Sequence, residues 1–299
     1  MDERRLRYFL AIVEDGSVTA AAARLHVAQP SLSQSLRSIE RELGAELFHR
    51  VGRGLRLTSA GRALIGPARQ ALLAIDAARS AVREISDVLA GELAVAALAT
   101  LAADPLADLV GSFRQAYPGV TVEIGEAEST ADASRLVAEG TRELGLVQLP
   151  APRQLVASAL GRQELMFVLP PGREPSERPL TPTALRSVPL VVTPPGTSTR
   201  DLLELAFASA AVVPQIAVET TAREAIVPLV LAGAGAALLP AGLAREASRR
   251  GAAVRPARPP LTRPIGLVSR PGTLSPAARA FTALALADGE PPKTTTALD

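Results

Sequence analysis

The chain has 299 residues, of which 47% are hydrophobic, 21% charged and 3% aromatic, so it has length for about two domains with aliphatic cores. Its formal net charge of +2 is too small to indicate a nucleic-acid partner by itself. There is no cysteine, and the two histidines are His26 and His49. This composition excludes disulfides and thiolate chemistry. It also argues against Ser-His or Cys-His catalysis, and against most zinc sites, beyond residue 49.

The first residues, Met-Asp-Glu-Arg-Arg-Leu-Arg, are charged and lack the apolar core and small-residue cleavage site of a signal peptide. No window holds about 18 consecutive apolar residues, the length that a membrane span needs. We therefore expect a cytoplasmic protein without a membrane partner.

The N-terminal segment predicts two helices in succession. Apolar residues at helical spacing define the first, and they are Leu6, Phe9, Leu10 and Val13. Gly16 ends this helix, and Ser17 or Thr19 can cap the next one. The second helix, Ala20 to Leu25, is almost all alanine, so a neighbouring helix can approach it closely, as a helix-turn-helix requires. The alternative is that these alanines only favour helix formation and do not indicate close packing against another helix.

A third helix follows a turn at 26–28. Gln29 opens it, Pro30 lies in its first turn, where a missing N–H costs nothing, and Gly44 ends it. Its apolar stripe consists of Leu32, Leu36, Ile39 and Leu43. Its opposite face carries Pro30, Gln34, Arg37, Ser38 and Arg41. Such a polar face can enter a major groove and present Gln, Ser and Arg to base edges and phosphates. An ordinary solvated face is the alternative.

Residues 47–57 predict a short hairpin around Gly52-Arg53-Gly54. Arginines on a hairpin suit phosphate contact or insertion into a narrow minor groove. The helices and the hairpin together predict a winged helix-turn-helix. Its candidate DNA-binding residues are Thr19, Gln29, Pro30, Ser31, Ser33, Gln34, Arg37, Arg41, Arg50, Arg53 and Arg56.

This arrangement resembles the LysR-type transcriptional regulators over about the first 65 positions, without a gap. The resemblance is carried by Leu6-Arg7-Tyr8-Phe9-Leu10, Gly16-Ser17, Ala21-Ala22, Leu25, Gln29-Pro30-Ser31, Ser33, Ile39-Glu40, Leu43-Gly44, Leu47-Phe48, Arg50, Leu57-Thr58 and Ala60-Gly61. Val18 departs from the family, which usually has Phe there, and Gln34 falls at a variable position of the reading helix. The resemblance implies sequence-specific binding to double-stranded promoter DNA.

A long helix is predicted from the cap at Thr58-Ser59 to about Leu89, where Gly91 breaks it and acts as a hinge. Pro67 lies inside the helix and is expected to kink it. Apolar residues alternate at spacings of four and three, which is typical of a coiled-coil seam. These candidate dimerisation residues are Leu64, Ala68, Ala71, Ile75, Ala78, Val82, Ile85 and Leu89. The resemblance implies a homodimer or a tetrameric dimer of dimers; the alternative is packing on the protein's own second domain.

From Glu92 onward, predicted strands and helices alternate, which indicates an α/β fold with largely parallel sheets. The predicted strands are 93–97, 120–124, 144–149, 165–169, 190–193, 216–219, 236–239 and 264–269. The predicted helices are 105–117, 131–139, 199–208, 222–232 and 276–286. Two proline- and arginine-rich stretches, 170–182 and 255–264, are expected to be loops, and 289–299 a disordered tail.

This second part resembles the LysR effector domain, more loosely than the first part resembles the DNA-binding domain. The matching runs are Gly91-x-Leu93-x-Val95 with Thr100, Phe113-Arg114 with Tyr117-Pro118-x-Val120, Pro195-Gly196-Thr197-Ser198-Thr199-Arg200, and Gly233-x-Gly235-x-x-Leu238-Leu239-Pro240. Gly145 departs, since many members carry Asp there. The resemblance implies two α/β subdomains like those of a periplasmic binding protein.

We therefore expect an N-terminal winged helix-turn-helix domain, all-α with a β wing, over residues 1–58. A linker and dimerisation helix follows over 59–90, and an α/β effector domain over 91–288. Subdomain I is expected at about 91–161 and 268–288, and subdomain II at about 162–267. The chain is expected to cross between them near 161–165 and 262–268.

Two strand-to-helix corners of this domain carry hydroxyl groups, at Thr100 and at 197–199. In such folds ligands bind beyond the carboxyl ends of strands, and a helix N-terminus with hydroxyls favours a small anion. Plain N-capping is the alternative, and Arg200 is expected on the surface. The candidate effector-binding residues are Ala99, Thr100, Gln148, Gly196, Thr197, Ser198, Thr199 and Thr220, with Gln148 and Thr220 implied by the resemblance alone.

The sequence thus predicts a transcriptional regulator whose promoter binding is modulated by a small, anionic effector held between the two subdomains. RNA polymerase is a further candidate partner, and no cofactor, metal or catalytic residue is expected. The alternatives are an effector-independent regulator, a cytoplasmic small-molecule-binding protein and an enzyme. The reading helix and missing signal peptide count against a solute-binding protein. The lack of His, Cys, Gly-x-Ser-x-Gly and P-loop patterns beyond residue 49 counts against an enzyme.

Overall fold

The computed structural model of the chain describes residues 1–51, 54–84, 89–172 and 179–288. Its N-terminal part contains the three predicted helices α1 (Glu3–Asp15), α2 (Val18–Arg24) and α3 (Gln29–Leu43). Ser17, rather than Thr19, caps α2, because its side chain accepts a hydrogen bond from the Ala20 N–H at 3.4 Å.

The predicted wing is present as an antiparallel pair of strands, β1 (Phe48–Val51) and β2 (Gly54–Leu57), with Phe48 opposite Leu57. The Leu47 N–H donates to the Glu40 carboxylate on α3 at 2.9 Å, and the Leu55 N–H donates to the Gly16 carbonyl at 3.1 Å. These two bonds fix the wing against α3 and against the turn between α1 and α2.

Helix α4 runs from Ser59 to Glu84, capped by Thr58, whose hydroxyl accepts from the Gly61 N–H at 2.9 Å. The predicted extension to Leu89 is wrong at that residue, which is not helical; residues 85–88 lie outside the described part of the chain. Strand β3 already begins at Ala90 and therefore contains Gly91.

The predicted seam on α4 divides in the structure. Ala68 is only 1% exposed and packs, with Leu64 and Ala71, in the core of the N-terminal domain. These residues thus contact their own chain, because α1 lies against the first turns of α4. Further along, Ala78 is exposed. The Val82 side chain and Ile85 lie outside the described residues.

Helix α4 also touches the effector domain, as the alternative interpretation of the seam allowed. The Arg69 guanidinium donates to the Thr141 hydroxyl at 2.5 Å. The Cβ atom of Arg69 lies 3.2 Å from the point where a Cβ at Gly140 would lie, so the two backbones approach closely there. One helix therefore connects the core of the DNA-binding domain to one corner of the effector domain.

The effector domain is built on a six-stranded mixed sheet in the order β4-β3-β5-β10-β6-β9. Its strands are β3 (Ala90–Leu98), β4 (Gly119–Ala127), β5 (Leu144–Gln148), β6 (Val156–Leu169), β9 (Ala237–Pro240) and β10 (Ala253–Ser269). The parallel arrangement that the sequence predicts holds for β3, β4 and β5. Strand β10 pairs antiparallel with β5 and β6, and β6 pairs antiparallel with β9.

The remaining elements cover this sheet or form a second one. A parallel pair consists of β7 (Leu190–Val192) and β8 (Ile216–Glu219). The helices are α5 (Ala99–Leu101), a π-helical turn (Ala102–Leu106), α6 (Ala107–Ala116), α7 (Thr130–Ala138), α8 (Ser198–Ser209), a 3-10 turn (Arg223–Ala225), α9 (Ile226–Leu231), α10 (Ala241–Arg249) and α11 (Pro276–Asp288). Helix α10 and the first half of β6 have no counterpart in the prediction.

The loop predicted at 255–264 is wrong, because these residues belong to β10, and 255–256 and 261–264 pair with β6. Prolines usually mark loops because they lack an N–H for the ladder. Here the register shifts between Pro256 and Leu261, and the prolines between them fall in that irregularity. Of the other predicted loop, 170–182, residues 173–178 lie outside the described part, as does the predicted disordered tail 289–299.

Strands β6 and β10 run through both halves of the effector domain. Leu160 and Ile265 pack in one hydrophobic core with Phe113 and Phe281, whereas Leu165 and Leu261 pack in a second core. The rings of Phe113 and Phe281 meet edge to face at 5.2 Å. The two strands therefore cross between subdomains over residues 160–165 and 261–265, close to the crossings that the resemblance implies.

Among the residues that the structure describes, no helix combines the length and the apolar character that crossing a membrane would require.

A substitution at Gly61 tests how tightly α4 is seated on the wing. A Cβ added there would lie 2.1 Å from the Leu47 carbonyl oxygen, so we expect Gly61→Ala to lower the free energy of unfolding by about 1–3 kcal/mol. Gly111 lies in α6 with no atom within 4 Å of its Cβ position, so Gly111→Ala should instead raise stability by about 0.5–1 kcal/mol. Urea denaturation of both variants checks this; equal effects would contradict the packing described.

Candidate nucleic-acid interface and ligand cleft

The predicted reading face of α3 is exposed and adjoins a surface groove of about 1080 Å³. Six of the predicted DNA-binding residues line this groove, and they are Gln29, Pro30, Ser33, Gln34, Arg37 and Arg41. Leu32 and Ile39, on the other face, are fully buried. The amphipathic pattern therefore anchors the helix by its apolar stripe and leaves amide, hydroxyl and guanidinium groups free to meet a nucleic acid.

The other predicted DNA-binding residues lie around the groove. Thr19 on α2, Ser31 on α3 and Arg56 on the wing are exposed but do not line it. The side chain of Arg50, and Arg53 altogether, lie outside the described residues. In the described part of the chain, Arg37 has neither a hydrogen bond nor an ion pair from its side chain, so its charge is available to a phosphate or a base edge.

A cavity of about 410 Å³ opens between the two subdomains. Residues of β5 and of the corner before α7 form one wall, and the N-terminal half of α8 forms the other. Its lining consists of Leu98, Glu128, Ser129, Thr130, Gln148, Leu149, Pro150, Gly196, Ser198, Asp201, Leu202, Leu205 and Arg263. This volume falls within the range of about 300–1,000 Å³ that is usual for small-molecule sites.

Arg263 on β10 is the most unusual residue of the cleft, since its large charged side chain is only 2% exposed. Its Nε donates to the Gln163 side-chain oxygen at 2.8 Å. One terminal nitrogen donates to the Thr100 hydroxyl, and the other to the Ser198 hydroxyl, both at 2.7 Å. Thr100 belongs to subdomain I and Ser198 to subdomain II, so the guanidinium joins the two walls.

The hydrogen bonds continue beyond the guanidinium. The Ser198 hydroxyl donates across the cleft to the Gln148 side-chain oxygen. The Gln163 amide donates to the carbonyl of Asp104. Asp104 in turn accepts, through its carboxylate, from the Gly242 N–H at 2.7 Å. A chain of polar contacts thus runs from β5 to the start of α10.

The positive charge of Arg263 is not neutralised by a carboxylate contact among the described residues, because its three acceptors are two hydroxyls and an amide. Burial, and secondarily the positive charge of Arg223, lowers the pKa of Arg263 to about 10, while Asp104 acts in the opposite direction. The guanidinium remains protonated at neutral pH, at a cost of about 3 kcal/mol. Three of its five N–H groups donate to these acceptors, and the other two have no acceptor among the described residues.

The structure brings together only part of the predicted effector-binding set. Thr100 and Ser198 bind Arg263, and Gln148 and Gly196 line the cavity. The remaining four do not line it, and they are Ala99, Thr197, Thr199 and Thr220.

Local contacts explain why the other hydroxyls are directed elsewhere. Thr197 shares a hydrogen bond of 2.5 Å with Thr193, and the Thr220 hydroxyl accepts from the Ala222 N–H at 3.0 Å. Thr199 lines a separate, small cavity of about 40 Å³ whose lining consists of Thr100 and residues of subdomain II, and its buried hydroxyl has no hydrogen-bond partner among the described residues.

Two arginines differ from what the sequence indicated. Arg200 is buried rather than on the surface, because it forms ion pairs with Glu204 at 2.6 Å and Glu219 at 3.2 Å. Arg263 was missed because it lies in the stretch that was predicted to be a loop. Leu261, Arg263 and Ile265 lie at every second position, and this alternation continues the predicted strand at 264–269. The pattern could have placed Arg263 on a strand.

With this geometry established, family models account for both parts of the chain. Residues 4–62 match the model described as bacterial regulatory helix-turn-helix protein, lysR family. Residues 86–289 match the model described as LysR substrate binding domain. The chain belongs to the LysR family of DNA-binding transcriptional regulators.

Similar proteins match the regulator over four fifths of its length or more. It is 33% identical to the HTH-type transcriptional regulator IlvR of Caulobacter vibrioides, over 98% of this chain and 100% of that protein. It is 30% identical to the HTH-type transcriptional regulator ClcR of Pseudomonas putida, over 80% of this chain and 83% of that protein.

Two solved structures share the fold of the regulator. A full-length OxyR variant from Pseudomonas aeruginosa superposes with a TM-score of 0.75 at 24% identity, covering 95% of this chain and 93% of OxyR. CbnR, in the crystal structure of its complex with target DNA, superposes with a TM-score of 0.66 at 24% identity, covering 96% and 100%. The arrangement of a winged helix-turn-helix, a linker helix and a two-subdomain effector domain is therefore a known one.

Removing the Ser198 hydroxyl tests the contact between the subdomains. It leaves one Arg263 N–H and the Gln148 oxygen without their partner, so we expect Ser198→Ala to lower the free energy of unfolding by about 1–3 kcal/mol. Ser209→Ala is the matched control, because Ser209 lies at the exposed end of the same helix and bonds only the Leu205 carbonyl. Its effect should stay within about 0.5 kcal/mol. Chemical denaturation measures the free energy of unfolding of both variants. Equal effects would show that the Ser198 contact does not stabilise the fold.

Proposed function

We propose that this LysR-type regulator binds promoter DNA as a dimer or dimer of dimers, and that a small anionic effector in the cleft modulates this binding. In this proposal residues 1–58 read the DNA, 59–90 pair two copies, and 91–288 bind the effector. Arg263 is the observation that carries the effector part, since it places a buried, un-neutralised positive charge at the cavity between the subdomains.

Dimerisation of the regulator is supported by the weak DNA binding that we expect of a single copy. A single reading face carries only Gln34, Arg37, Arg41 and a few hydroxyls, so it neutralises few phosphates and binds weakly. The part of α4 beyond its contact with α1 is available for a partner, since Ala78 is exposed there. Two copies held together would read two half-sites, as helix-turn-helix dimers do.

Several features support an anionic effector. Two N–H groups of Arg263 are unused by the described residues, and the 12-residue helix α8 directs its N-terminus at the same cavity. Backbone N–H groups at a helix start and a guanidinium both favour carboxylates. A bound carboxylate would also offset part of the cost of burying the Arg263 charge.

We infer a binding role for the cleft rather than catalysis, because its lining offers carboxylate, amide, hydroxyl and guanidinium groups without a histidine or cysteine. A cytoplasmic location near promoter DNA, and contact with RNA polymerase there, belong to the same proposal.

Substitutions on the reading face test the DNA-binding part. We expect Gln34→Ala and Arg37→Ala each to weaken the specific complex with DNA from upstream of the regulator's own coding sequence about tenfold or more, through lost base or phosphate contacts. Arg153→Ala, which removes an exposed arginine of the effector domain, should bind like wild type. Gel-shift titrations at two salt concentrations measure this. Wild-type affinity of both reading-face variants would contradict the assignment of α3.

Thermal-shift screening tests the effector part. At least one small organic acid should raise the melting temperature of the wild-type regulator, because it binds the folded state alone. We expect Thr100→Val to lose most of that shift, since Thr100 holds the Arg263 fork in the cleft through its hydroxyl. Shifts that are equal in both proteins would place the ligand elsewhere, and the absence of any shift in wild type would contradict effector binding.

A further inference from the structure

The cleft between the subdomains carries charges of both signs. Arg263 supplies the positive charge at its buried base. Glu128, from the corner before α7, and Asp201, in the first turn of α8, line the same cavity and are exposed. In the part of the chain that the structure describes, neither carboxylate has a hydrogen-bond or ion-pair partner from its side chain. The two carboxylates come from opposite walls.

The wall of the cleft that α8 forms also carries aliphatic side chains. Ser198, Asp201, Leu202 and Leu205 lie at helical spacing on the face of α8 that lines the cavity. Leu205 is 65% exposed, so most of its aliphatic side chain is accessible beside the cavity. Leu98 and Leu149 line the opposite side. Going along α8 from its start, the ligand would therefore meet a hydroxyl, a carboxylate and then aliphatic surface.

We propose that the effector of this cleft is a small zwitterion of the α-amino acid class with an aliphatic side chain. The inference rests on the proposed function, namely that the cleft binds an effector. The ligand carboxylate binds the two unused N–H groups of Arg263 and the N-terminus of α8. Its ammonium group binds Asp201 and Glu128, and its side chain packs on Leu202 and Leu205.

The charges of the cleft disfavour the other simple ligand classes. A dicarboxylate would bring its second negative charge close to Glu128 and Asp201, and an amine without a carboxylate would leave Arg263 un-neutralised. A plain monocarboxylate satisfies Arg263 but gives the two rim carboxylates nothing to bind. None of the lining residues is aromatic, so a flat aromatic ligand finds no ring to stack on.

The alternative for Glu128 and Asp201 is that they are ordinary solvated surface carboxylates. A matched set of probes separates the two interpretations. L-Leucine carries both charges, 4-methylpentanoate lacks the ammonium group, and 3-methylbutylamine lacks the carboxylate. Isothermal titration and thermal shift of the full-length protein give the affinity for each probe.

We expect L-leucine to bind wild type at least tenfold more tightly than either analogue. The double variant Glu128→Gln with Asp201→Asn should bind L-leucine and 4-methylpentanoate with equal affinity, because only the attraction for the ammonium group is removed. Glu246→Gln changes an exposed carboxylate on α10, away from the cleft lining, and should keep the wild-type preference. The melting temperature of each variant without ligand shows that it is folded.

The outcomes separate this inference from the function on which it rests. If 4-methylpentanoate binds wild type as tightly as L-leucine, or if the double variant keeps the preference for L-leucine, the zwitterion is overturned while an anionic effector stands. If only other organic acids shift the melting temperature, the zwitterion is likewise overturned. If neither organic acids nor amino acids bind, effector binding itself fails, and the gel-shift result on α3 still stands independently.

Discussion

The effector domain of this regulator depends on one interaction, the burial of the Arg263 guanidinium between its two subdomains. Arg263 is held by a glutamine, a threonine and a serine, and these three come from a crossing strand and from each subdomain. Hydrogen bonds to neutral oxygens make the burial of a cation tolerable for the folded protein. A nearby anion would lower the free energy of the buried charge further. In the proposed function, the contacts that join the two walls of the cleft therefore also favour the binding of an anionic effector.

The position of this charge on β10 explains how a ligand could influence distant parts of the molecule. Strands β6 and β10 are the two connections between the subdomains, and Gln163 and Arg263 lie opposite each other on them. Subdomain I contacts α4 through Thr141 and Arg69, and α4 continues into the core of the winged helix-turn-helix. A change in the angle between the subdomains thus has a continuous, packed route to the reading helices.

Local patterns predicted the DNA-binding domain well, because its helices are amphipathic, α1 and α3 end at glycines, Ser17 caps α2, and its hairpin is short. The positions of Ser198 and Thr100 beside the cleft could also be predicted, from their strand-to-helix corners. Arg263 could not, because the prolines around it indicated a loop, and only the long-range pairing of β10 with β6 makes that segment a strand. The packing of the first part of the α4 seam could not be predicted for a similar reason, since a heptad pattern does not show that Ala68 packs in a core with α1 of its own chain.

Hydrogen–deuterium exchange of wild type and Arg263→Met tests the central claim most directly. Methionine keeps an unbranched side chain, although a shorter one, and removes every donor to the two walls. If Arg263 joins the subdomains, exchange should become faster in peptides covering 96–104 and 196–204 together, while peptides of α11 stay unchanged. Unchanged exchange at both walls, or a change confined to β10 itself, would contradict the account.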